Sequence, residues 1–314
     1  MSSIVSPTVL GAPSGRRERR VPGGHELANA SRTAQRRQRT DRLATLLIWS
    51  GAALALLPLA LIIGLLLVRG SAALSVAFFT ELPDLSLPSG GGIANAIAGS
   101  ALLVGIASLM GLPIGIAAGL HLATHPHTRL SRISRYLSDV LNGVPSIVIG
   151  VFAWEVFVRP VGHFSAWAGG LALAVLLVPL VARTTETVVS LVPVELTEAA
   201  LALGFPRWRT SLQVVLRTAL PGIVTGALVA VARIAGETAP LLFTAFGNAF
   251  WSMSPDEPIA ALPLTIYAYA GSPYEGWQTL AWGGALVLLL LVAGLSVVAR
   301  LATRRQLSRV GAGR

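Results

Sequence analysis

The sequence predicts an all-α, polytopic membrane protein with six transmembrane helices, and three observations predict it. Apolar residues make up 54% of the 314-residue chain and charged residues only 12%, against roughly 25% charged in an average soluble domain. Six apolar runs are long enough, or nearly so, to cross a hydrocarbon core of about 30 Å at ~1.5 Å per residue. The cations are distributed unevenly between alternate connecting segments, as the positive-inside rule requires of a protein threaded back and forth through a bilayer.

Taken in order, residues 1–42 are polar, rich in Gly, Pro and Ser, and carry nine Arg against Glu18, Glu26 and Asp41. Such a segment cannot bury enough apolar surface to fold alone and is expected to be a disordered tail. It does not read as a cleaved signal, because the apolar run that follows begins late and is long. The expected spans are 43–68, 96–120, 139–157, 166–181, 219–243 and 280–301, the third and fourth being short. Residues 302–314 form a second polar tail. Gly143-Val144-Pro145 and Gly111-Leu112-Pro113 interrupt the apolar runs. Such breaks survive in a bilayer only where neighbouring helices or a wet cavity satisfy the freed backbone groups. With the N-terminal tail inside, the segments near 121–138 and 182–218 and both termini lie on the same side and, with Arg300 at the inner end of the last span counted among them, hold 21 of the 24 Arg. Only Arg69 and Arg159 fall outside and Arg233 within a span, an asymmetry that five or seven spans would spoil.

Composition also excludes several chemistries. All 24 cations are Arg, so the lysine that a GxxxxGK phosphate-binding loop places on the β- and γ-phosphates does not exist here. Zero Cys excludes disulfides, thiolate metal sites and thiol nucleophiles. Neither HExxH nor GxSxG occurs, so no catalytic constellation and no cofactor are expected. The net charge of +10 invites a nucleic-acid reading, but the Arg residues sit at the ends of apolar runs and form no stripe. His121, His125 and His127 could be imagined as metal ligands; Pro126 breaks a helix that would align them and no carboxylate is adjacent, so a solvated loop is expected and no metal.

Two constellations remain. In the 183–217 segment, Thr197 or Glu195 could cap a short helix ending at Leu203, with Gly204 supplying the left-handed residue beyond it. A second amphipathic stretch follows, with Trp208, Leu212 and Val215 at helical spacing beside Arg207, Arg209 and Arg217. Two short helices joined at a glycine suit a shallow cleft on a partner; an ordinary interfacial loop is the alternative. In the fifth span, Arg233 and Glu237 lie four residues apart and are expected on one helical face. Charges there cost from about 2.5 to over 10 kcal/mol, so they face a cavity or a partner. An Arg in a wet pathway offers paired donors to anionic oxygens; an ion pair locking two helices is the alternative. The 248–278 segment holds Trp251, Tyr267, Tyr269, Tyr274 and Trp277, expected as interfacial aromatics and compatible with a docking surface.

Four strings carry a family resemblance: Val144-Pro145-Ser146-Ile147-Val148-Ile149-Gly150; Arg183-Thr184-Thr185-Glu186 with Val192-Pro193; Glu198-Ala199-Ala200-Leu201-Ala202-Leu203-Gly204; and Gly236-Glu237-Thr238-Ala239-Pro240-Leu241-Leu242. From about Ile93 to the end of the last span, the chain resembles the permease subunits of the phosphate-specific ABC importer. The third string is similar to the EAA loop shared by binding-protein-dependent importers, and the Ala-Pro-Leu-Leu ending is similar to the A-type subunit. The Leu-Pro pair usual before the following span is here Leu216-Arg217, which puts in doubt a bend at 217.

The resemblance implies the type I, MetI-like permease fold with a cytoplasmic coupling helix, in a bacterial inner membrane. It implies a substrate pathway through Arg233, Glu237 and Thr238, and ATPase coupling through Glu198, Ala199, Ala200 and Gly204. The implied partners are two copies of an ABC ATPase, a C-type permease, an extracytoplasmic phosphate-binding protein and membrane lipid, with no nucleic acid. The competing readings are a permease for molybdate or sulfate, an ATP-independent secondary transporter or channel, and a membrane enzyme.

Overall fold

A computed structural model describes residues 24–84 and 91–311, with side chains described for 41–84 and 91–301. The chain divides into two units, residues 1–62 and 63–314. In the first, the described residues belong to α1 (Gly24–Ser71), which continues into the second. The stretch from Asp41 is long and apolar enough to cross a membrane, and every described side chain from 41 to 62 is exposed. A helix that is apolar all round and packs no protein face has lipid as its solvent. Residues 1–23 of the expected disordered tail lie outside the described residues, but 24–42 are helical and correct that expectation. The segment carries Arg, Ala and Gln without Pro, and extending an existing helix avoids the cost of nucleating one.

The second unit begins with the last turns of α1 and continues through α2 (Val76–Thr80), α3 (Ala94–Thr124), α4 (Arg129–Gly143), α5 (Ser146–Val158) and α6 (Ala166–Ser190). It ends with α7 (Val194–Ala202), α8 (Arg207–Ile234), α9 (Ala239–Thr244), α10 (Leu262–Ala270) and α11 (Glu275–Gly311). Among the described residues there are two isolated bridges and no strand, as the all-α prediction requires. Five helices are long and apolar enough to span, those of α1, α3, α6, α8 and α11. The expected third span is instead α4 and α5, bent by 106° at Val144-Pro145.

Two Gly-x-Pro triplets thus behave differently. Pro145 breaks the chain direction, whereas α3 runs unbroken through Pro113. Gly111 serves packing: a Cβ there would lie 3.0 Å from the Leu177 side chain, one on Gly115 2.8 Å from Val181, and one on Gly119 2.4 Å from the Ala182 carbonyl oxygen. Three glycines at four-residue spacing let α3 lie against α6 at backbone distance, which drives helix association where lipid removes the usual hydrophobic force. Leu103, Ile106, Leu173, Leu177, Val181 and Ile234 fill the adjoining core.

The 183–217 segment also departs from expectation. Arg183 to Glu186 continue α6, which ends at Ser190 rather than 181. The second amphipathic stretch is not a separate short helix but the start of α8, joined to it through a π-helical segment, Thr210–Val215. The chain accordingly has no bend at 217, and α8 also passes through Pro221.

Candidate functional site

Helix breaks position the first candidate site. Pro145 lacks an N–H, clashes with a helical residue before it, and stops α4. α5 then starts at Ser146 with no side chain capping its first amides. On the opposite wall, α8 ends at Ile234 and α9 starts at Ala239. Gly236 and Pro240 both disfavour helical continuation between them. The two breaks frame a cavity of about 130 Å³ lined by Asn142, Val144 and Ser146 on one side, Leu176 and Leu180 of α6, and Arg233, Ile234 and Glu237 on the other.

Arg233 and Glu237 therefore meet in one cavity, but not as one helical face: Glu237 lies beyond the end of α8, in the break. They form no ion pair with each other. Arg233 is exposed and Glu237 half-buried, leaving the guanidinium donors open to an incoming group. Thr238 precedes the first turn of α9, where its carbonyl oxygen accepts from the Leu241 and Leu242 amides, and it does not line the cavity. Asn142 and Ser146 were not singled out from sequence. Their signal was available, since polar residues flanking a Gly/Pro interruption in an apolar segment mark binding sites in membrane transporters.

The second candidate site is the exposed surface of α7. The helix starts behind Pro193, with no side-chain cap; Glu195 lies in its first turn and Thr197 inside it, so neither is the cap expected. Gly204 takes φ +83°, as expected of the residue that ends such a helix. Glu198, Ala199 and Gly204 are exposed together with Leu201 and Leu203. Ala200, expected with them, is buried within the chain. Val189, Val215, Ala219 and Ile223 form a buried cluster linking the end of α6 to the start of α8 below this segment.

Between the two sites lies an ion network that sequence reading missed. Glu186 Oε1 accepts from Arg135 Nε at 2.5 Å and its Oε2 from Arg183 Nη1 at 2.6 Å, while Arg183 Nε lies 3.1 Å from Asp139. Arg135 also donates to the carbonyl oxygens of Pro126 (2.9 Å) and Leu122 (3.0 Å). In the same motif, Thr184 abuts Gly226 of α8 and Thr185 abuts Gly119 of α3. Arg183-Thr184-Thr185-Glu186 is therefore the joint at which α6 holds α3, α4 and α8. The aromatic segment is partly internal too: Tyr269 and Trp277 stack at 4.9 Å, while Trp251, Tyr267 and Tyr274 are exposed.

The comparisons with known proteins agree with this architecture. The chain is 46% identical over 268 residues to the phosphate transport system permease protein PstA of Yersinia pestis, covering 85% of this chain and 90% of that one. It is 47% identical over 237 residues to the PstA of Xylella fastidiosa strain 9a5c, covering 75% and 82%. Among solved structures, the inward-facing MetNI methionine ABC transporter superposes with a TM-score of 0.52 at 21% identity, covering 69% of this chain and 95% of that one. An amino acid ABC transporter gives 0.51 at 18%, covering 68% and 92%. At such identities these two structures establish the fold, the type I importer permease arrangement. Residues 111–310 match the family of binding-protein-dependent transport system inner membrane components, and the chain belongs to that family.

Proposed function

We propose that this chain is the A-type transmembrane permease subunit of an ABC importer that carries inorganic phosphate into the cytoplasm. The observation that carries this reading is Arg233 in a cavity framed by two helix breaks, in a chain whose relatives are named as phosphate transport permeases. A guanidinium is always charged and presents donors in a planar fork that matches phosphate oxygens, and unwound backbone beside it supplies further polar groups. Ser146, at the positive end of α5, and Asn142 add donors to the same space. The relatives' names favour phosphate over molybdate or sulfate.

The chain supplies the pathway and a separate ABC ATPase supplies the energy, since no Lys is present for a phosphate-binding loop of its own. Two ATPase copies, a C-type permease and an extracytoplasmic phosphate-binding protein complete the assembly, in a bacterial inner membrane with both termini cytoplasmic. The exposed α7 surface with Glu198, Ala199 and Gly204 receives the ATPase, with Ala200 anchoring the helix from its buried side. Closure of the ATPase pair pulls α7, and the Arg183–Glu186 joint passes the displacement to α3, α4 and α8, which frame or adjoin the cavity. The test is phosphate uptake in cells producing this chain with the other subunits: wild type accumulates phosphate, Arg233→Gln does not, and omission of the C-type permease abolishes uptake. ATP-driven uptake by this chain and the ATPase alone would overturn the A-type assignment.

A further inference from the structure

A groove of about 430 Å³ opens between the C-terminal end of α3 and the start of α8. It lies apart from the cavity at Arg233, sharing no lining residue with it. Ile116, Leu120 and His121 line one wall and Trp208, Leu212 and Leu216 the other, so its floor is apolar. Trp208 is 62% exposed and Leu212 46%, an apolar surface that a membrane protein leaves bare where lipid covers it. His121 stacks on His125 at 4.9 Å, and its Nε2 is buried without a hydrogen-bond partner. A buried polar atom of this kind needs a partner to offset its lost hydration.

Charge completes the pattern. Arg207 and Arg209 bracket Trp208, the Arg209 guanidinium lying 5.7 Å from the ring centroid, and neither Arg is in an ion pair among the described residues. Residues 121–138 on the α3 side carry Arg129 and Arg132, neither in an ion pair among the described residues, while Arg135 is held by Glu186; residues 205–218 carry Arg207, Arg209 and Arg217 and no carboxylate. An apolar slot at one end of the bundle, an indole at its mouth and uncompensated guanidinium groups beside it are the elements that recognise an anionic phospholipid.

We infer that this groove is a binding site for one anionic phospholipid, its acyl chain between α3 and α8 and its phosphate diester held by Arg207, Arg209 and the free His121 Nε2. The occupant sits where α8 leaves the α7 segment, so it would hold the start of α8 in its π-helical register. This inference rests on the membrane-spanning architecture and not on the identity of the transported ion.

The full-length chain, purified in detergent and stripped of lipid, is to be titrated with dioleoyl phosphatidylglycerol or dioleoyl phosphatidylcholine and read by native mass spectrometry. The expected result is retention of one phosphatidylglycerol at least several-fold above phosphatidylcholine. Arg207→Gln with Arg209→Gln should bring that ratio near one without lowering the melting midpoint. Leu212→Trp, which fills the groove, should remove the bound lipid, and Arg159→Gln, at a distant exposed pair, should change nothing. Millimolar inorganic phosphate should not displace the lipid. Equal retention of the two lipids, an unchanged ratio in the double variant, displacement by inorganic phosphate, or loss of the lipid on adding the ATPase subunit would overturn the proposal, the last two assigning the groove to a free anion and to protein.

Discussion

Gly150 of α5 meets Pro240 of α9 so closely that a Cβ on the glycine would lie 2.9 Å from the proline Cα, 3.0 Å from Phe243 and 3.1 Å from the Ala239 carbonyl oxygen. Two separate sequence strings, Val144 to Gly150 and Gly236 to Leu242, are thereby one structural unit, the pair of short helices that begin at the two breaks. Two of the three obstructing atoms are backbone and cannot turn aside. Gly150→Ala is expected to cost about 1–3 kcal/mol by overpacking and to lower uptake by displacing the cavity walls. Gly294→Ala in α11, where a Cβ meets nothing within 4 Å, should be neutral or slightly stabilising. Thermal unfolding and uptake of the two variants side by side check this; equal behaviour would contradict the close contact.

Glu186 holds two guanidinium groups at once, Arg135 and Arg183. Glu186→Gln leaves Arg135 without a carboxylate and Arg183 with Asp139 alone, and should destabilise by about 2 kcal/mol, less than the ~3–5 kcal/mol of a fully buried pair because both Arg side chains keep partial solvent contact. Asp139→Asn should cost less, since the Asp139 side chain is 59% exposed and pairs with one Arg only. Melting midpoints of the assembled complex give the order. A larger loss for Asp139→Asn than for Glu186→Gln would show that the joint is built differently.

Gly204 sits at φ +83° in open space, so a substitution there is resisted by backbone strain and not by a clash. Gly204→Val should strain the turn by about 1–2 kcal/mol, while Gly204→Asn, a residue tolerant of left-handed backbone, should be milder. If α7 receives the ATPase, co-purification should fall in the order wild type, Asn, Val, with membrane insertion unchanged. Gly204→Asp, which adds a charge to the exposed turn, should weaken docking further than Asn. Unchanged co-purification of all three would remove α7 from the coupling surface.

The sequence carried the all-α class and most of the span positions because apolar runs and Arg placement are local signals. Gly204 was legible for the same reason, as a glycine behind a short Ala-rich helix. The two Gly-x-Pro triplets were not distinguishable: Pro113 is held in a continuous helix by α6 packed along the Gly111, Gly115 and Gly119 face, a tertiary effect invisible in the triplet itself. Glu237 was placed on a helix by its spacing from Arg233, whereas Gly236 and Pro240 end that helix between them. Arg135 and Asp139 escaped notice because 121–138 reads as a connecting loop and Asp139 as the start of a span, and only contact with α6, some fifty residues later in the chain, reveals their partners. Ala200 was grouped with its neighbours by motif; burial separates it.

The account turns on Arg233 as an anion contact, and one set of measurements addresses it most directly: phosphate uptake normalised to assembled complex for Arg233→Gln, Glu237→Leu, and the double variant Arg233→Met, Glu237→Leu. Arg233 and Glu237 share a cavity without pairing, so removing the charge should leave assembly intact. The predicted result is a well-assembled Arg233→Gln complex with uptake reduced at least a hundredfold, and no recovery in the apolar double variant, because the guanidinium fork is lost in both. Restored uptake in the double variant would contradict the account, since it would make the two residues a dispensable structural pair and leave phosphate to be held elsewhere.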